Sequence, residues 1–92
     1  MRIGRIRILD VEKIEVKHRV RGHEVLEVFA NDPWFRRLRR GHYRGEDVLA
    51  ALGQTDGGRY LVVFFIYKRD RTALILSCRD MEQKERRMHG RH

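Results

Sequence analysis

The chain has 92 residues, of which 41% are hydrophobic and 37% are charged. This composition predicts one small folded domain covering residues 1–92 and excludes a two-domain protein and an intrinsically disordered chain. The 21 Lys and Arg and 13 Asp and Glu give a formal net charge of +8. Such an excess of positive charge predicts a polyanionic partner, with nucleic acid as the leading class.

The single cysteine and the absence of long apolar runs bear on the compartment. Cys78 has no partner for an intrachain disulfide and lies in an apolar run, so we expect a buried thiol in a reducing environment. The sequence contains no run of about 18 apolar residues, the length that a transmembrane helix needs. The first nine residues are too short and too charged for a signal peptide. We therefore expect a soluble, cytoplasmic protein.

The first predicted element is a short strand. Arginine and isoleucine alternate over residues 5–8, which predicts that Ile6 and Ile8 lie on one face and Arg5 and Arg7 on the other.

Two short helices are predicted next. Asp10 is a candidate N-cap for a helix in which Ile14 and His18 share a face. A second helical pattern covers residues 23–30 and ends at the Asn-Asp-Pro sequence of residues 31–33.

The rest of the chain predicts four strands in a meander and a last helix. The Asp56-Gly57 pair between apolar runs is a strong hairpin signal. The predicted strands cover residues 34–40, 47–54, 60–67 and 72–79. Asp80 and Gln83 resemble a capping box for a last helix that runs to about Met88. The fold class is therefore α+β, with an antiparallel sheet of about four to five strands, two N-terminal helices and one C-terminal helix.

The densest basic segment follows the second helix and predicts an RNA-binding strand. Its arginines lie among aromatic residues that can stack on bases. They are Arg36, Arg37, Arg39 and Arg40, followed in the next turn by Arg44. Two other interpretations remain open: a charged edge strand that prevents aggregation, and a surface for an acidic protein.

Two arginines at strand ends are candidates for phosphate binding. Arg59 precedes the most apolar predicted strand and Arg79 ends the next, so a hairpin would bring these ends to one edge of the sheet. Guanidinium groups there would stabilise the charge that develops on phosphorus during metal-free RNA cleavage. Ion pairing with Asp80, Glu82 or Glu85 is the competing interpretation.

His18 and His89 are the candidates for proton transfer. The competing interpretations are a packed or helix-end-capping residue for His18 and simple solvent exposure for His89. The histidine and cysteine spacings give no metal-ligand set, and no glycine-rich phosphate loop is present. We therefore predict neither a metal nor a cofactor.

Six segments, taken together in order and spacing, resemble the BrnT toxins, which are RelE-like ribonucleases of type II toxin-antitoxin modules. The segments are KH at 17–18, EVLEVF at 24–29, Gly53, GRYLVV at 58–63, ILSCR at 75–79 and ERR at 85–87. The resemblance covers roughly residues 9–89. The chain has Leu-Asp-Val at residues 9–11 where members usually have Trp-Asp-Pro, Arg19 where they have glycine, and His89 where tyrosine is common.

The resemblance implies a RelE-like fold and a bacterial toxin that cleaves RNA and halts translation. It also implies a cognate antitoxin, BrnA-like or another DNA-binding protein, that neutralises the toxin. It carries over His18, Arg59, Arg79 and the Glu85-Arg86 pair as site residues.

The leading hypothesis is thus a metal-independent endoribonuclease in which Arg59 and Arg79 hold the phosphate and His18 or His89 moves the proton. Lys17, Arg86 and the basic segment at residues 36–40 would bind RNA. The alternatives are a catalytically silent nucleic-acid-binding or regulatory module on the same scaffold, and a protein-interaction domain.

Overall fold

The computed structural model describes residues 1–39 and 46–91, and the side chain of Arg39 is also outside the description. The predicted RNA-binding residue Arg40 and the turn at residues 41–45 therefore lie outside the described residues. The elements in chain order are β1 (Arg5–Ile8), α1 (Val11–His18), α2 (Gly22–Ala30), β2 (Trp34–Arg39), β3 (Val48–Gln54), β4 (Tyr60–Tyr67), β5 (Thr72–Asp80) and α3 (Gln83–His89).

The five strands form one sheet in the order β1-β5-β4-β3-β2. Strands β2 to β5 pair antiparallel with their neighbours, as the meander pattern predicts. β1 instead pairs in parallel with β5. The α+β fold is confirmed, with a mixed sheet in place of the antiparallel one, because no hairpin joins β1 to β5 and neither strand's sequence fixes their relative direction.

One face of the sheet is packed by α1 and α2, and we call it the α1–α2 face. Its core contains Ile14 of α1 and Val25 and Val28 of α2, which lie against Val63 and Phe65 of β4. These side chains are at most 1% exposed. Burial of this apolar surface supplies most of the force that holds the helices to the sheet.

The opposite face carries α3 at one end, and we call it the α3 face. Its smaller core contains Leu52, Val62 and Met81, packed by the partly buried Tyr60 and Phe64. Two apolar clusters on the two sides of β4 explain why that strand is apolar at almost every position.

Local contacts explain where α1 begins and why α2 packs closely. Asp10 caps α1 as predicted, since its Oδ1 accepts a hydrogen bond of 3.0 Å from the Lys13 amide. On the α1–α2 face, a Cβ at Gly53 would approach atoms of Val28 and Pro33 to 3.2 Å. A glycine at this position thus lets α2 and the following turn lie directly on β3.

The start of α3 differs from the prediction. Asp80 is the last residue of β5, and the helix begins at Gln83. The Glu85 carboxylate accepts a 2.8 Å hydrogen bond from the Glu82 amide, so the capping pattern is two residues later than predicted. The Asp80 carboxylate binds Arg59 instead.

Cys78 is fully buried, as predicted. In the part of the chain that the structure describes, no helix is long and apolar enough to cross a membrane.

Candidate active site

The two arginines predicted to converge at the sheet edge lie on opposite faces. The ends of β4 and β5 do meet, with Val62 opposite Arg79 and Leu61 opposite Asp80. Arg79 therefore shares the α3 face with Val62. Arg59 contacts α1 and α2 on the other side. The structure thus does not bring the two guanidiniums to one phosphate.

Arg59 joins three segments of the chain. Its Nε and Nη2 donate to the two oxygens of Asp80 at 2.7 and 3.0 Å. Nη1 donates to the Arg19 carbonyl at 2.8 Å and to Glu24 at 3.2 Å, and Nη2 also donates to the His18 carbonyl at 3.2 Å. All five N–H donors of the guanidinium are thereby directed at protein acceptors. The side chain fastens the α1–α2 junction to β5, as the competing ion-pair interpretation proposed.

The Asp80 carboxylate is the charged partner in this cluster. Its hydrogen bonds from Arg59 hold the pKa of Asp80 below its ordinary value, and the nearby charges of Arg59 and His18 act in the same direction. His18 ends α1 and is partly buried, whereas Lys17 beside it is exposed. Both residues belong to the α1–α2 side of the sheet.

Arg79 is bound to the last helix but keeps donor capacity. Its Nη1 and Nη2 donate to the two carboxylate oxygens of Glu85 at 2.7 and 2.9 Å, and Nη1 also donates to the Asp80 carbonyl. The guanidinium lies 5.3 Å from the Phe64 ring centroid. Among the described residues, its Nε–H and one Nη2–H have no acceptor, so these two donors remain available.

The Arg79–Glu85 pair is bidentate and partly exposed. The hydrogen bonds from Arg79 hold the pKa of Glu85 below its ordinary value, against the opposing effect of burial. The same bonds raise the pKa of Arg79. The pair fixes α3 against β5 and so places the next turn of the helix.

That turn brings Arg86 and His89 onto Tyr60. The Arg86 guanidinium lies 4.2 Å from the Tyr60 ring centroid, a cation–π contact. The His89 ring meets the same tyrosine edge-on at 6.0 Å. Tyr60, Gln83, Arg86 and Arg87 line a cleft of about 310 Å³. Two cations and an aromatic ring thus line one depression on the α3 face, and the His89 ring contacts the same tyrosine.

The basic strand β2 divides between the two faces. Arg36 lies opposite Ala50 on the α3 face, 5.3 Å from the Trp34 ring centroid, and its charge contributes to lowering the pKa of Glu85. Arg37 lies opposite Leu49 and forms a 3.2 Å ion pair with Asp47. Of these two arginines, only Arg36 extends the surface around Arg79.

Tyr60 and Glu24 are site residues that the sequence-based prediction missed. Tyr60 was assigned only to a core strand, although its position directly after Arg59 places it at a strand end. Glu24 was noted for the family resemblance alone, and no local pattern signals its long-range contact with Arg59. Among residues 1–39 and 46–91, no group of three His, Cys, Asp or Glu side chains is placed to hold a metal ion.

Comparison with protein-family models shows which family the chain belongs to. The family described as "Ribonuclease toxin, BrnT, of type II toxin-antitoxin system" matches residues 11–85. The chain belongs to this family. The match confirms the resemblance inferred from the short motifs and implies an antitoxin as a protein partner. A search of curated proteins gives no significant match.

The matched region ends at Glu85, within α3. It includes Arg59 and Arg79 with their carboxylate partners. Arg86 and His89 follow it, so the family match does not cover them.

Proposed function

We propose that this BrnT toxin is a metal-independent, cytoplasmic endoribonuclease that inhibits translation by cleaving RNA on its α3 face. One observation carries the proposal: the Arg86 guanidinium and the His89 ring both contact Tyr60, and Arg79 on the same face keeps donors that have no acceptor among the described residues. Family membership supports the ribonuclease class, and the local geometry supports this location.

The proposed reaction is an attack of the RNA 2′-oxygen on the adjacent phosphorus. The bond to the 5′-oxygen breaks, which leaves a 2′,3′-cyclic phosphate and a 5′-hydroxyl. Arg79 and Arg86 bind the phosphate oxygens and stabilise the charge that grows in the transition state. His89 accepts the proton of the 2′-hydroxyl as the 2′-oxygen attacks, and the protonated His89 then returns it to the leaving 5′-oxygen. This assignment needs no group beyond the chain's own side chains.

Arg59 receives a positioning role in this proposal, because all its donors are already used. His18 remains the alternative proton-transfer residue, since it lies near the Asp80 carboxylate. Arg36 is proposed to bind RNA outside the cleaved bond, and Arg39 and Arg40 are further candidates from the basic segment at residues 36–40. Lys17 and Arg37 lie on the α1–α2 side of the sheet. They are the proposed contacts for RNA that extends to that side.

The test uses purified, antitoxin-free protein with single-stranded RNA in excess EDTA. We expect fragments that end in 2′,3′-cyclic phosphate and arrest of a translation extract. His89→Gln should lower kcat by about 100-fold or more, as removal of a general acid or base does. His23→Gln is the matched control, because His23 is exposed and its ion pair is with Glu27 of its own helix.

A His18→Gln variant separates the two histidines. If it loses activity while His89→Gln does not, the proton-transfer site lies on the α1–α2 side and the present assignment is wrong. No cleavage by the wild-type protein in either assay would overturn the ribonuclease proposal.

A second candidate function is supported by the Arg79–Glu85 pair. A phosphate-binding arginine that is already neutralised by a bidentate carboxylate is also consistent with a catalytically silent RNA- or DNA-binding module. Salt-dependent binding of RNA without any product, in wild type and His89→Gln alike, would favour it.

A further inference from the structure

A second basic cleft lies on the α3 face, at the other end of the sheet. The alternating pattern of β1 places Arg5 and Arg7 on this face, opposite Thr72 and Leu74 of β5. Both arginines are exposed, while Ile6 and Ile8 between and after them pack against the core. The cleft has a volume of about 730 Å³. It is larger than the cleft beside Tyr60.

The charges of this cleft do not cancel. Its lining includes four cations and two anions: Arg5, Arg7, Lys68, Arg69, Glu46 and Asp70. Lys68 is neutralised by Glu46 at 2.6 Å. One oxygen of Asp70 accepts a 3.1 Å hydrogen bond from the Thr72 amide. Within the described residues, Arg5, Arg7 and Arg69 form no ion pair, so the cleft carries surplus positive charge.

The spacing of these cations suits an extended polyanion. Arg5 and Arg7 are two residues apart on one strand face, which separates their Cα atoms by about 6.6 Å. That separation is comparable with the distance between successive phosphates of an extended single strand. Leu74, opposite Arg7, lies five residues from Arg79 along β5, or roughly 15 Å at the usual rise of a strand. A few nucleotides would span the two clefts.

The surface between the clefts is apolar and partly exposed. Phe64 and Ile66 of β4 and Leu74 of β5 lie on this face and are each only partly buried. Unpaired bases can lie on such a surface while the phosphates contact the flanking cations. A fully charged partner surface, as on an acidic protein, would leave these side chains without matching contacts.

We propose that Arg5, Arg7 and Arg69 bind backbone phosphates of the single-stranded RNA that flanks the bond cleaved beside Tyr60. The inference rests on the proposed ribonuclease function and extends it by a second binding site. β1 precedes the matched region of the family, which begins at residue 11, so this site is assigned from the geometry of this chain.

The experiment compares Arg5→Gln/Arg7→Gln with Lys13→Gln/Arg21→Gln, which removes two exposed charges from the α1–α2 side. The probe is a fully 2′-O-methylated single-stranded RNA of about 12 nucleotides, within the range of known single-strand sites. It cannot be cleaved because it lacks the 2′-hydroxyl. Each released phosphate contact lowers the slope of log K against log salt by about 0.7, so the first variant should lower it by about 1.4 and the control by far less.

A second measurement uses cleavable RNA of two lengths. Arg5→Gln/Arg7→Gln should lower kcat/KM for a long RNA at least tenfold and leave a tetranucleotide substrate unaffected, since the short substrate occupies only the cleft at Tyr60. Equal slopes for both double variants would overturn the proposed site, as would equal losses on both substrates. Loss of antitoxin binding with an unchanged RNA slope would assign the cleft to a protein partner and also overturn it.

The two proposals fail in distinguishable ways. If Arg5→Gln/Arg7→Gln lowers the salt slope of probe binding as expected but the wild type cleaves no RNA, the cleft is confirmed and the catalytic proposal fails. If the wild type cleaves RNA and the slope does not change, the catalytic proposal stands and the cleft fails.

Discussion

Replacement of Arg59 by methionine separates a structural role from a catalytic one. Methionine keeps much of the length of the side chain but loses every hydrogen bond to Asp80, Glu24 and the carbonyls of α1. Hydrogen bonds to charged groups contribute roughly 1.5–3 kcal/mol each. The Asp80 side chain is 62% exposed, so water replaces much of its loss, whereas the Glu24 side chain is only 16% exposed. We expect the variant to lose about 2–3 kcal/mol of unfolding free energy.

Urea denaturation measures this loss directly. A chain of this size has an m value of about 1 kcal/mol/M, so the midpoint should fall by about 2–3 M. Arg2→Met is the matched control, because the Arg2 side chain is exposed, and it should stay within about 0.5 kcal/mol of wild type. RNA cleavage is then measured at a temperature at which every variant is folded.

We expect folded Arg59→Met to keep kcat within a few fold of wild type. The opposite pattern would refute the reasoning: an unchanged urea midpoint with a loss of kcat of about 100-fold or more, the size expected when a transition-state contact is removed. Arg59 would then bind the phosphate, as predicted from the sequence, and its contacts in the free protein would have to open on substrate binding.

Three further predictions concern stability and reactivity. Arg19 follows α1 with a φ of 54°, so Arg19→Gly should raise the unfolding free energy by about 0.5–1 kcal/mol in the same urea assay. Burial raises the pKa of Cys78 to about 12, so a disulfide reagent near pH 8 should label the chain only after unfolding. The pKa of Glu85 is lowered below its ordinary value of 4.5, so its pair with Arg79 stabilises the fold above that value and loses its effect as the pH falls through the lowered value. Glu85→Gln should therefore be less stable than wild type at pH 7 and should lose less stability between about pH 6 and about pH 3.

The order of elements was predictable because each helix or strand is specified by nearby residues. Asp10 caps α1, the Asn-Asp-Pro sequence ends α2, and the turn at Asp56-Gly57 joins β3 to β4. The direction of β1 was not predictable in this way. Its strand partner among the described residues, β5, lies more than sixty residues later, and the alternation of arginine and isoleucine specifies which face is buried but not the direction of the neighbour.

The sequence-based prediction placed Arg59 and Arg79 together at one edge of the sheet, whereas the structure places them on opposite faces. Side chains alternate between faces at every residue, so a shift of one position in register moves an arginine to the other face. The hairpin of β4 and β5 contains a register irregularity between Phe64 and Phe65, and such bulges change the alternation without a clear sequence signal. That irregularity is one reason why Arg59 and Arg79 could not be assigned to faces from their sequence positions.

The proposals assign different roles to the two faces of the sheet. On the α1–α2 face, Arg59 has no donor left for a ligand and its partners belong to three different elements, so substitutions there should act on the free energy of unfolding. On the α3 face, Arg86 and the arginines of β1 are exposed and His89 is partly buried, so their replacement should change RNA binding and cleavage with little effect on folding. Arg79 belongs to both groups, because it holds Glu85 while keeping donors for a ligand. It is therefore the residue at which a loss of activity is hardest to interpret without a parallel measurement of stability.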